Sequence, residues 1–169
     1  MALQRCKMSL ETVKHYLKKW DRQDDVLEFK TSSATVELAA QVLNTEPARI
    51  AKTISFQSGE ENGAVLIVAA GDAKIDNRKY KEQFEMKAKM LSPDEVLAVV
   101  GHPVGGVCPF AIENPSVKVY TDISLRRFDY IYPACGSSNS AIRLSNAELF
   151  EMADSQGWVD VCKGWQEEE

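Results

Sequence analysis

Two short stretches of this 169-residue chain carry residue types that could bind or transform a ligand. The first runs from Gly101 to Phe110 and holds three glycines and two prolines, which excludes an ordinary helix or central strand. Such a loop can leave backbone amides without partners, here those of Gly105, Gly106, Val107 and Cys108. A row of free N–H groups binds a phosphate, a carboxylate or a developing oxyanion. A bulged strand entry without a binding role explains the same composition equally well.

The second stretch is the predicted strand Ile50–Phe56, in which a lysine falls among aliphatic residues. Alternate residues of a strand share a face, so Lys52 points the same way as Ile50 and Ile54. An ammonium group on an apolar face is costly unless it is paired or opens into a solvated pocket. Lys52 is therefore a candidate functional cation. A lysine near a strand's start whose stem runs out to solvent gives the same pattern.

Length and composition indicate one soluble globular domain, with 44% hydrophobic and 27% charged residues. The longest apolar run, Ala64 to Ala70, is far shorter than a membrane span, and the N-terminus lacks an apolar signal region. These features predict a cytoplasmic protein without a membrane partner. The net charge of −5 argues against a general nucleic-acid coat but allows a local basic patch. Six basic residues between Lys74 and Lys89 are the first place to seek phosphate contacts.

The four cysteines are scattered and the chain has two histidines, which argues against a zinc site or a disulfide framework. We therefore expect no metal and no cofactor. One pair leaves a different chemistry open, because Cys108 and His102 stand six residues apart on the glycine-rich loop. A cysteine among amide donors next to a base could act as a nucleophile. The spacing by itself does not place the two side chains in contact.

Capping signals and periodicity predict a single α+β domain over residues 1–169, with a mixed sheet or barrel-like core flanked by helices. The apolar run 64–70 reads as a strand covered on both faces. Residues 1–8 and 165–169 are expected to be flexible ends. Helix starts are predicted from polar side chains that can accept a hydrogen bond from the first turn: Ser9, the run Thr31–Ser33, Asp76, Ser92 and Ser145.

Three motifs, in this order and spacing, resemble the YbaK/EbsC family: Pro47–Thr53, Gly101–Pro109 and Gly136–Ala141. Its members are free-standing aminoacyl-tRNA deacylases, similar to the editing insertion domain of bacterial prolyl-tRNA synthetases. The resemblance implies a mixed, barrel-like sheet flanked by helices and a small pocket for the aminoacyl end of a mischarged tRNA. It further implies hydrolysis of the aminoacyl ester, with the acceptor end of tRNA as partner and an aminoacyl-tRNA synthetase as a second candidate partner.

The resemblance also assigns residues to that pocket. Lys52 would be the family's critical lysine, and Gly105 and Pro109 match its Gly-x-x-x-Pro motif. The residues between them, Gly106, Val107 and Cys108, would offer their amides to the oxyanion. The substrate-binding residues would be His102, Pro109, Asp122, Ser137 and Ser138. Family members use no protein nucleophile; a neighbouring group of the substrate or a bound water attacks, and the protein positions it.

Three positions depart from the common pattern of the family: Cys108 stands where serine is frequent, His102 where one branch has tyrosine, and Ala111 where glycine is frequent. The amino acid that is removed stays open, because one methylene in such a pocket changes discrimination by only about 1–3 kcal/mol. A module that binds tRNA or a synthetase without hydrolysis fits the same motifs. The Cys108/His102 thiol enzyme is the third alternative.

Overall fold

The computed structural model describes the backbone of residues 2–166 and the side chains of residues 9–166. Its strands, in chain order, are β1 (Leu27–Glu28), β2 (Ile50–Phe56), β3 (Ala64–Ala70), β4 (Lys74–Ile75), β5 (Val117–Asp122), β6 (Tyr132–Pro133), β7 (Ser140–Ala141), β8 (Trp158–Val159) and β9 (Cys162–Lys163). The central sheet has five of them in the order β6-β2-β3-β5-β8. β2 and β3 are antiparallel and the other pairs are parallel, so the predicted mixed sheet is confirmed.

Strand β3 lies at the centre of this sheet and is buried at every residue. It pairs with β2 from Ala51↔Ala70 to Phe56↔Val65 and with β5 from Ala64↔Val117 to Val68↔Thr121. Its sequence is apolar throughout because neither face meets solvent. The register with β2 sets the direction in which Lys52 leaves the sheet.

Five helices flank the sheet: α1 (Ala2–Leu17), α2 (Val36–Leu43), α3 (Asn77–Phe84), α4 (Pro93–Val100) and α5 (Asn146–Met152). The three predicted caps of the last three helices are confirmed. Asp76 accepts from the amides of Arg78 and Lys79, and Ser92 and Ser145 each form a reciprocal capping box with a glutamate three residues on. Among the described residues, no helix is both long and apolar enough to cross a bilayer.

Two predicted helix starts are wrong. The first helix begins at Ala2, so Ser9 lies within it, and the Ser9 hydroxyl bonds the His102 ring instead of a first-turn amide. The second helix is capped by Thr35, whose Oγ1 accepts from the amide of Leu38. The hydroxyl of Ser33 instead donates to the carbonyl of Ser138, a partner 105 residues away. Local spacing cannot reveal such long-range partners.

Two small antiparallel ribbons complete the fold, β1 with β7 and β4 with β9. The β4–β9 pair holds Cys162–Lys163 beside the start of α3. Two-residue strands are too short for an alternation pattern to predict them. The prediction of flexible ends lies partly outside the described residues. Within them, residues 2–8 belong to α1, and Trp165 packs on the core with Arg127 over its ring.

The outer edge of β2 is only partly covered. β6 pairs with it at Ile50 and Ala51, and Met90 bridges to Phe56. Between these two points, no described residue pairs as a strand with the outer edge over residues 52–54. This break in the pairing leaves a slot beside Lys52.

Candidate active site

A cavity of about 420 Å³ occupies the slot at the outer edge of β2. It is walled by β2, by the segment that leads into α2, by the start of α4 and by the glycine-rich loop. Lys52, Gly105 and Val107 all line it, so the strand and the loop singled out in the sequence meet at one place. The volume falls within the roughly 300–1,000 Å³ of small-molecule sites.

Lys52 lines this cavity, and two backbone carbonyls outside the lining hold its ammonium group. Its Nζ donates to the oxygen of Gly71 at 3.2 Å and to the oxygen of Ala73. A lysine ammonium has three donors, so one is left for a ligand. Burial lowers the pKa of Lys52, and the carboxylate of Asp72 opposes this shift. The lysine is therefore paired on the apolar side of the strand, as its cost of burial requires.

The glycine-rich loop offers fewer amides than its sequence suggests. The N–H of Gly106 donates to the carbonyl of Pro103 at 3.0 Å and closes a turn, so it is not free for a ligand. Within the described part of the chain, the amides of Gly105, Val107 and Cys108 have no hydrogen-bond partner. Gly105 adopts φ +92°, which favours glycine, and together with Val107 it faces the cavity.

A second small-residue loop supports the first from behind. A Cβ on Gly106 would lie 2.5 Å from the carbonyl oxygen of Gly136, so the two loops are in direct backbone contact. Gly136 in turn lies against Ser9 of α1, where a Cβ would come within 2.8 Å of the serine carbonyl oxygen. This stack of backbones fixes the position of the amides at the cavity wall.

His102 is buried within the loop, where it forms structural hydrogen bonds, and it does not line the cavity. Its exposed fraction is 2%, its Nδ1 bonds the Ser9 hydroxyl, and its Nε2 bonds the carbonyl of Phe110 at 2.7 Å. A hydrogen on Nε2 satisfies the contact with Phe110, and the Ser9 hydroxyl can either donate to Nδ1 or accept from it. His102 thus ties both ends of the loop to α1.

Cys108 and His102 are in contact, with 3.5 Å between Sγ and Nε2. The sequence spacing did not indicate this contact. Cys108 is fully buried, and neither side chain lines the cavity. Burial lowers the pKa of His102, but the interactions with Cys108 and with the Phe110 carbonyl outweigh burial and raise this pKa to about 9. The two residues are therefore of the types that a thiol enzyme uses, but a substrate in the cavity does not reach them.

Two of the predicted substrate-binding residues are used inside the protein. Both oxygens of the Asp122 carboxylate accept backbone amides at 2.9 Å, one from Ser124 and one from Val161. The Ser137 hydroxyl donates to Ser140 Oγ at 2.7 Å. Neither residue lines the cavity, although Ser140 does.

The remaining two predicted residues flank the loop. Pro109 faces a different groove on the far side of the loop, beside Tyr16 and Trp20. The backbone carbonyl of Ser138 accepts a hydrogen bond from the amide of Ser33. The Ser138 side chain also lies next to Gly105, because its Cβ is 3.6 Å from the position that a Cβ on Gly105 would occupy. Ser138 therefore braces the cavity's outer wall.

Sequence analysis missed several lining residues: Thr53, Ser55, Met90, Val96, Tyr132 and Ser140. Thr53 is the most informative, because its Oγ1 is buried without a hydrogen-bond partner in the described part of the chain. Strand alternation places Thr53 opposite Lys52. A cavity at the edge of a strand is lined by residues from both faces of that strand. The sequence does not show that the outer edge of β2 is unpaired at this point.

The central sheet, its flanking helices and the cavity at the edge of β2 make up a small α+β domain. Residues 31–152 match the family model of the aminoacyl-tRNA editing domain, and the chain belongs to this family. The family predicted from the three motifs is thereby confirmed.

Two relatives show sequence similarity to this chain. The chain is 54% identical over 159 residues to the uncharacterized protein YwhH of Bacillus subtilis (strain 168), covering 94% of this chain and all of that protein. It is 28% identical over 142 residues to the proline–tRNA ligase of Thermosipho melanesiensis, where it covers 83% of this chain but 24% of the ligase.

Solved structures with the same fold include a proposed trans-editing enzyme for prolyl-tRNA synthetase, with 26% identity and a TM-score of 0.81, covering 92% of this chain and 98% of that one. The hypothetical protein APE2540 has a TM-score of 0.74 and 25% identity, covering 88% of this chain and 99% of that one.

Proposed function

We propose that this chain is a trans-editing hydrolase, a single domain that deacylates mischarged aminoacyl-tRNA. The observation that carries the proposal is that Lys52 and the loop residues Gly105 and Val107 line one cavity of about 420 Å³. A charged donor and unpaired amides around a small cavity suit a carboxylic ester. Membership of the editing-domain family supports the same reaction.

The reaction needs no residue that becomes covalently attached to the substrate. A bound water, or a neighbouring group of the substrate, attacks the ester carbonyl carbon. The bond from that carbon to the ribose oxygen then breaks, and the ribose oxygen takes up a proton. With water, the products are the free amino acid and an uncharged tRNA end. An aminoacyl ester is already labile, so placing it correctly supplies much of the required acceleration.

The amides of Gly105 and Val107 would stabilise the oxyanion that forms on the carbonyl. Because Gly106 donates to Pro103, it stays outside this donor set. The remaining donor of Lys52 would hold the carbonyl or the terminal ribose. Its other two donors fix the ammonium on Gly71 and Ala73, so little reorganisation accompanies binding.

We place this activity in the cytoplasm, where aminoacyl-tRNA is made. The partner is the acceptor end of a tRNA that carries the wrong amino acid, presented alone or by a synthetase. Similarity to proline–tRNA ligases makes the proline tRNA the first to test.

The test is a panel of tRNAs, each esterified with a radiolabelled amino acid, incubated with the protein. We expect ester loss well above the spontaneous rate for at least one mischarged tRNA. Lys52→Ala should reduce it by about 100-fold or more, as loss of a transition-state donor does. Lys118→Ala, at an exposed lysine of β5, is the matched control and should keep the parent rate. Binding of tRNA without ester loss would instead identify a non-catalytic module.

A further inference from the structure

The turn that follows β3 holds the ammonium group of Lys52. This turn consists of Gly71, Asp72 and Ala73, and its first and last residues supply the two carbonyls that accept from Lys52 Nζ. The amide of Ala73 donates to the carbonyl of Ala70 at 3.0 Å and closes the turn. The middle residue, Asp72, therefore carries a carboxylate next to the two groups that bind the ammonium.

The Asp72 carboxylate lies close enough to act on this ammonium group. Burial lowers the pKa of Lys52, and the Cys162 thiol and the Asp72 carboxylate oppose the shift. The other charged groups that act on the ammonium are Glu37, which also opposes the shift, and Lys74, which adds to it. Two backbone carbonyls take two of the three ammonium donors, so a carboxylate that reached the third would leave none for a ligand.

Arg127 occupies both oxygens of the Asp72 carboxylate. Its Nη1 donates to Oδ2 at 2.9 Å and its Nη2 donates to Oδ1 at 2.6 Å. A guanidinium and a carboxylate that meet through two parallel hydrogen bonds hold each other in one plane. The Asp72 side chain is therefore directed at Arg127, and the ammonium of Lys52 is bound by the backbone on either side of it.

Further contacts fix Arg127 itself. Its Nε donates to the carbonyl of Ser124 at 2.8 Å, and its Nη1 also donates to the carbonyl of Trp165 at 3.1 Å. The Cζ atom lies 4.8 Å from the centroid of the Phe128 ring and 5.1 Å from that of Trp165. An isolated surface ion pair contributes little, but a bidentate pair in a network of this kind is the exception.

The backbone of the turn is fixed by contacts that do not involve the Arg127 side chain. The buried Ser124 hydroxyl accepts from the amide of Ala70 at 3.1 Å, directly before the turn. A Cβ on Gly71 would collide with the carbonyl oxygen of Pro47, so the turn is packed against that backbone. What Arg127 adds is therefore the direction of the carboxylate, and the carbonyls that bind Lys52 do not depend on it.

We infer that Arg127 is a positioning residue, which holds the Asp72 carboxylate away from the ammonium group of Lys52 and so keeps the third donor of the lysine available to the substrate. The inference rests on the proposed function for the part that this donor plays in hydrolysis. Without Arg127, the freed carboxylate accepts from Lys52 Nζ and occupies the last donor. This effect on the lysine does not depend on any activity and is measured separately.

The direct measurement is the titration of Lys52 by NMR, in full-length protein labelled with carbon-13 at the lysine Cε atoms and without substrate. The Lys52 signal is the one missing from Lys52→Met. Arg127→Gln should move the titration midpoint to higher pH, because a freed carboxylate favours the charged ammonium. Asp72→Asn should move it to lower pH, and the double variant should titrate like Asp72→Asn. Arg126→Gln is the matched control, because this neighbouring exposed arginine lies 5.5 Å from the Trp158 ring centroid and should leave the midpoint unchanged.

The rate of deacylation is the second readout, measured with the mischarged tRNA that the parent hydrolyses fastest. Arg127→Gln should lower kcat/KM about tenfold, less than the loss of the lysine itself, because the carboxylate competes with the substrate for a donor that is still present. In the Asp72→Asn background the same change should cost less than about twofold, since no carboxylate remains to be freed. Arg126→Gln should keep the parent rate. Thermal unfolding of each variant checks that the fold is kept.

An equal loss of rate from Arg127→Gln with and without Asp72→Asn would overturn the inference, because Arg127 would then only support the turn. Equal Lys52 midpoints in Arg127→Gln and the parent would overturn it as well. If Arg127→Gln does not fold, Asp72→Asn decides alone, since an unchanged midpoint there shows that the carboxylate does not act on the lysine. Midpoints that move as expected in a protein that hydrolyses no tRNA contradict the hydrolase alone, whereas hydrolysis with unmoved midpoints contradicts the role of Arg127 alone.

Discussion

Gly106 and Gly136 are in backbone contact, so close that a Cβ on Gly106 would lie 2.5 Å from the Gly136 carbonyl oxygen. This contact joins the two loops that the sequence motifs mark. At the same position, the Gly106 amide donates to the carbonyl of Pro103, while the amides of Gly105 and Val107 have no partner among the described residues. The two loops therefore pack closely where the free amides lie.

Gly106→Ala should lower the free energy of unfolding by about 2–3 kcal/mol, because backbone atoms must move to make room for the methyl group. Gly157→Ala is the control, since a Cβ there has no atom within 4 Å and the backbone is not left-handed. It should change stability by less than about 0.5 kcal/mol. Urea denaturation measures both, and equal effects would contradict the packing described here.

The pH dependence of stability should report the burial of Lys52. In the folded state, burial lowers the pKa of Lys52 below 10.5, the ordinary value for a lysine. As pH rises from the folded-state pKa towards 10.5, the native protein releases the proton first, so the unfolded state binds more protons and stability increases. Below the folded-state pKa both states are charged and this gain is absent.

The measurement compares the parent with Lys52→Met by urea denaturation between pH 7 and 10.5. The stability of the parent relative to the variant should rise with pH over the upper part of this range. Lys118→Met, at an exposed position, controls for the loss of any one lysine. A difference between parent and Lys52→Met that stays flat or falls with pH would show that Lys52 is not desolvated.

Thr53→Val should stabilise the protein by about 1 kcal/mol, because it removes a buried hydroxyl that has no partner among the described residues. The same substitution at Thr121 should instead destabilise the protein. Thr121 Oγ1 bonds Ser155 Oγ at 3.1 Å, and Thr121→Val removes that hydrogen bond. Chemical denaturation of the two variants gives the comparison. Destabilisation by Thr53→Val would mean that its hydroxyl is satisfied in solution.

Cys108→Ser should keep the rate of aminoacyl-tRNA deacylation within about threefold, because the thiol is buried behind the loop and does not line the cavity. An enzyme that used this thiol as its nucleophile would lose at least about 100-fold. Cys135→Ser, at another buried cysteine, controls for the general effect of a hydroxyl in the core. A large loss confined to Cys108→Ser would restore the thiol mechanism.

Ala111→Gly should stabilise the protein by about 1 kcal/mol. Ala111 has φ +58°, a left-handed conformation that costs a residue with a Cβ about 1–2 kcal/mol and costs glycine little. Ala98→Gly, in the exposed interior of α4, should instead destabilise by about 0.5–1 kcal/mol. Thermal unfolding distinguishes the two signs, and destabilisation at both positions would contradict the strain at Ala111.

Much of the fold is predictable from local sequence. The strands Ile50–Phe56 and Ala64–Ala70 have the bounds that their apolar patterns predict, and the caps Asp76, Ser92 and Ser145 lie where their spacing places them. These features depend on contacts within a few residues, which periodicity and capping rules describe well. The motif order was likewise enough to predict the family.

The sequence by itself therefore determined the elements, the family and the two stretches that meet at the cavity. The tertiary structure decided which of their groups face it. Asp122 and Ser137 turned out to bond inside the protein, His102 to brace the loop against Ser9, and Thr53 to join the cavity wall. Each of these outcomes depends on a loop, helix or sheet edge that is distant in the sequence. Local sequence rules could not predict them, because such rules describe only contacts between residues close together in the chain.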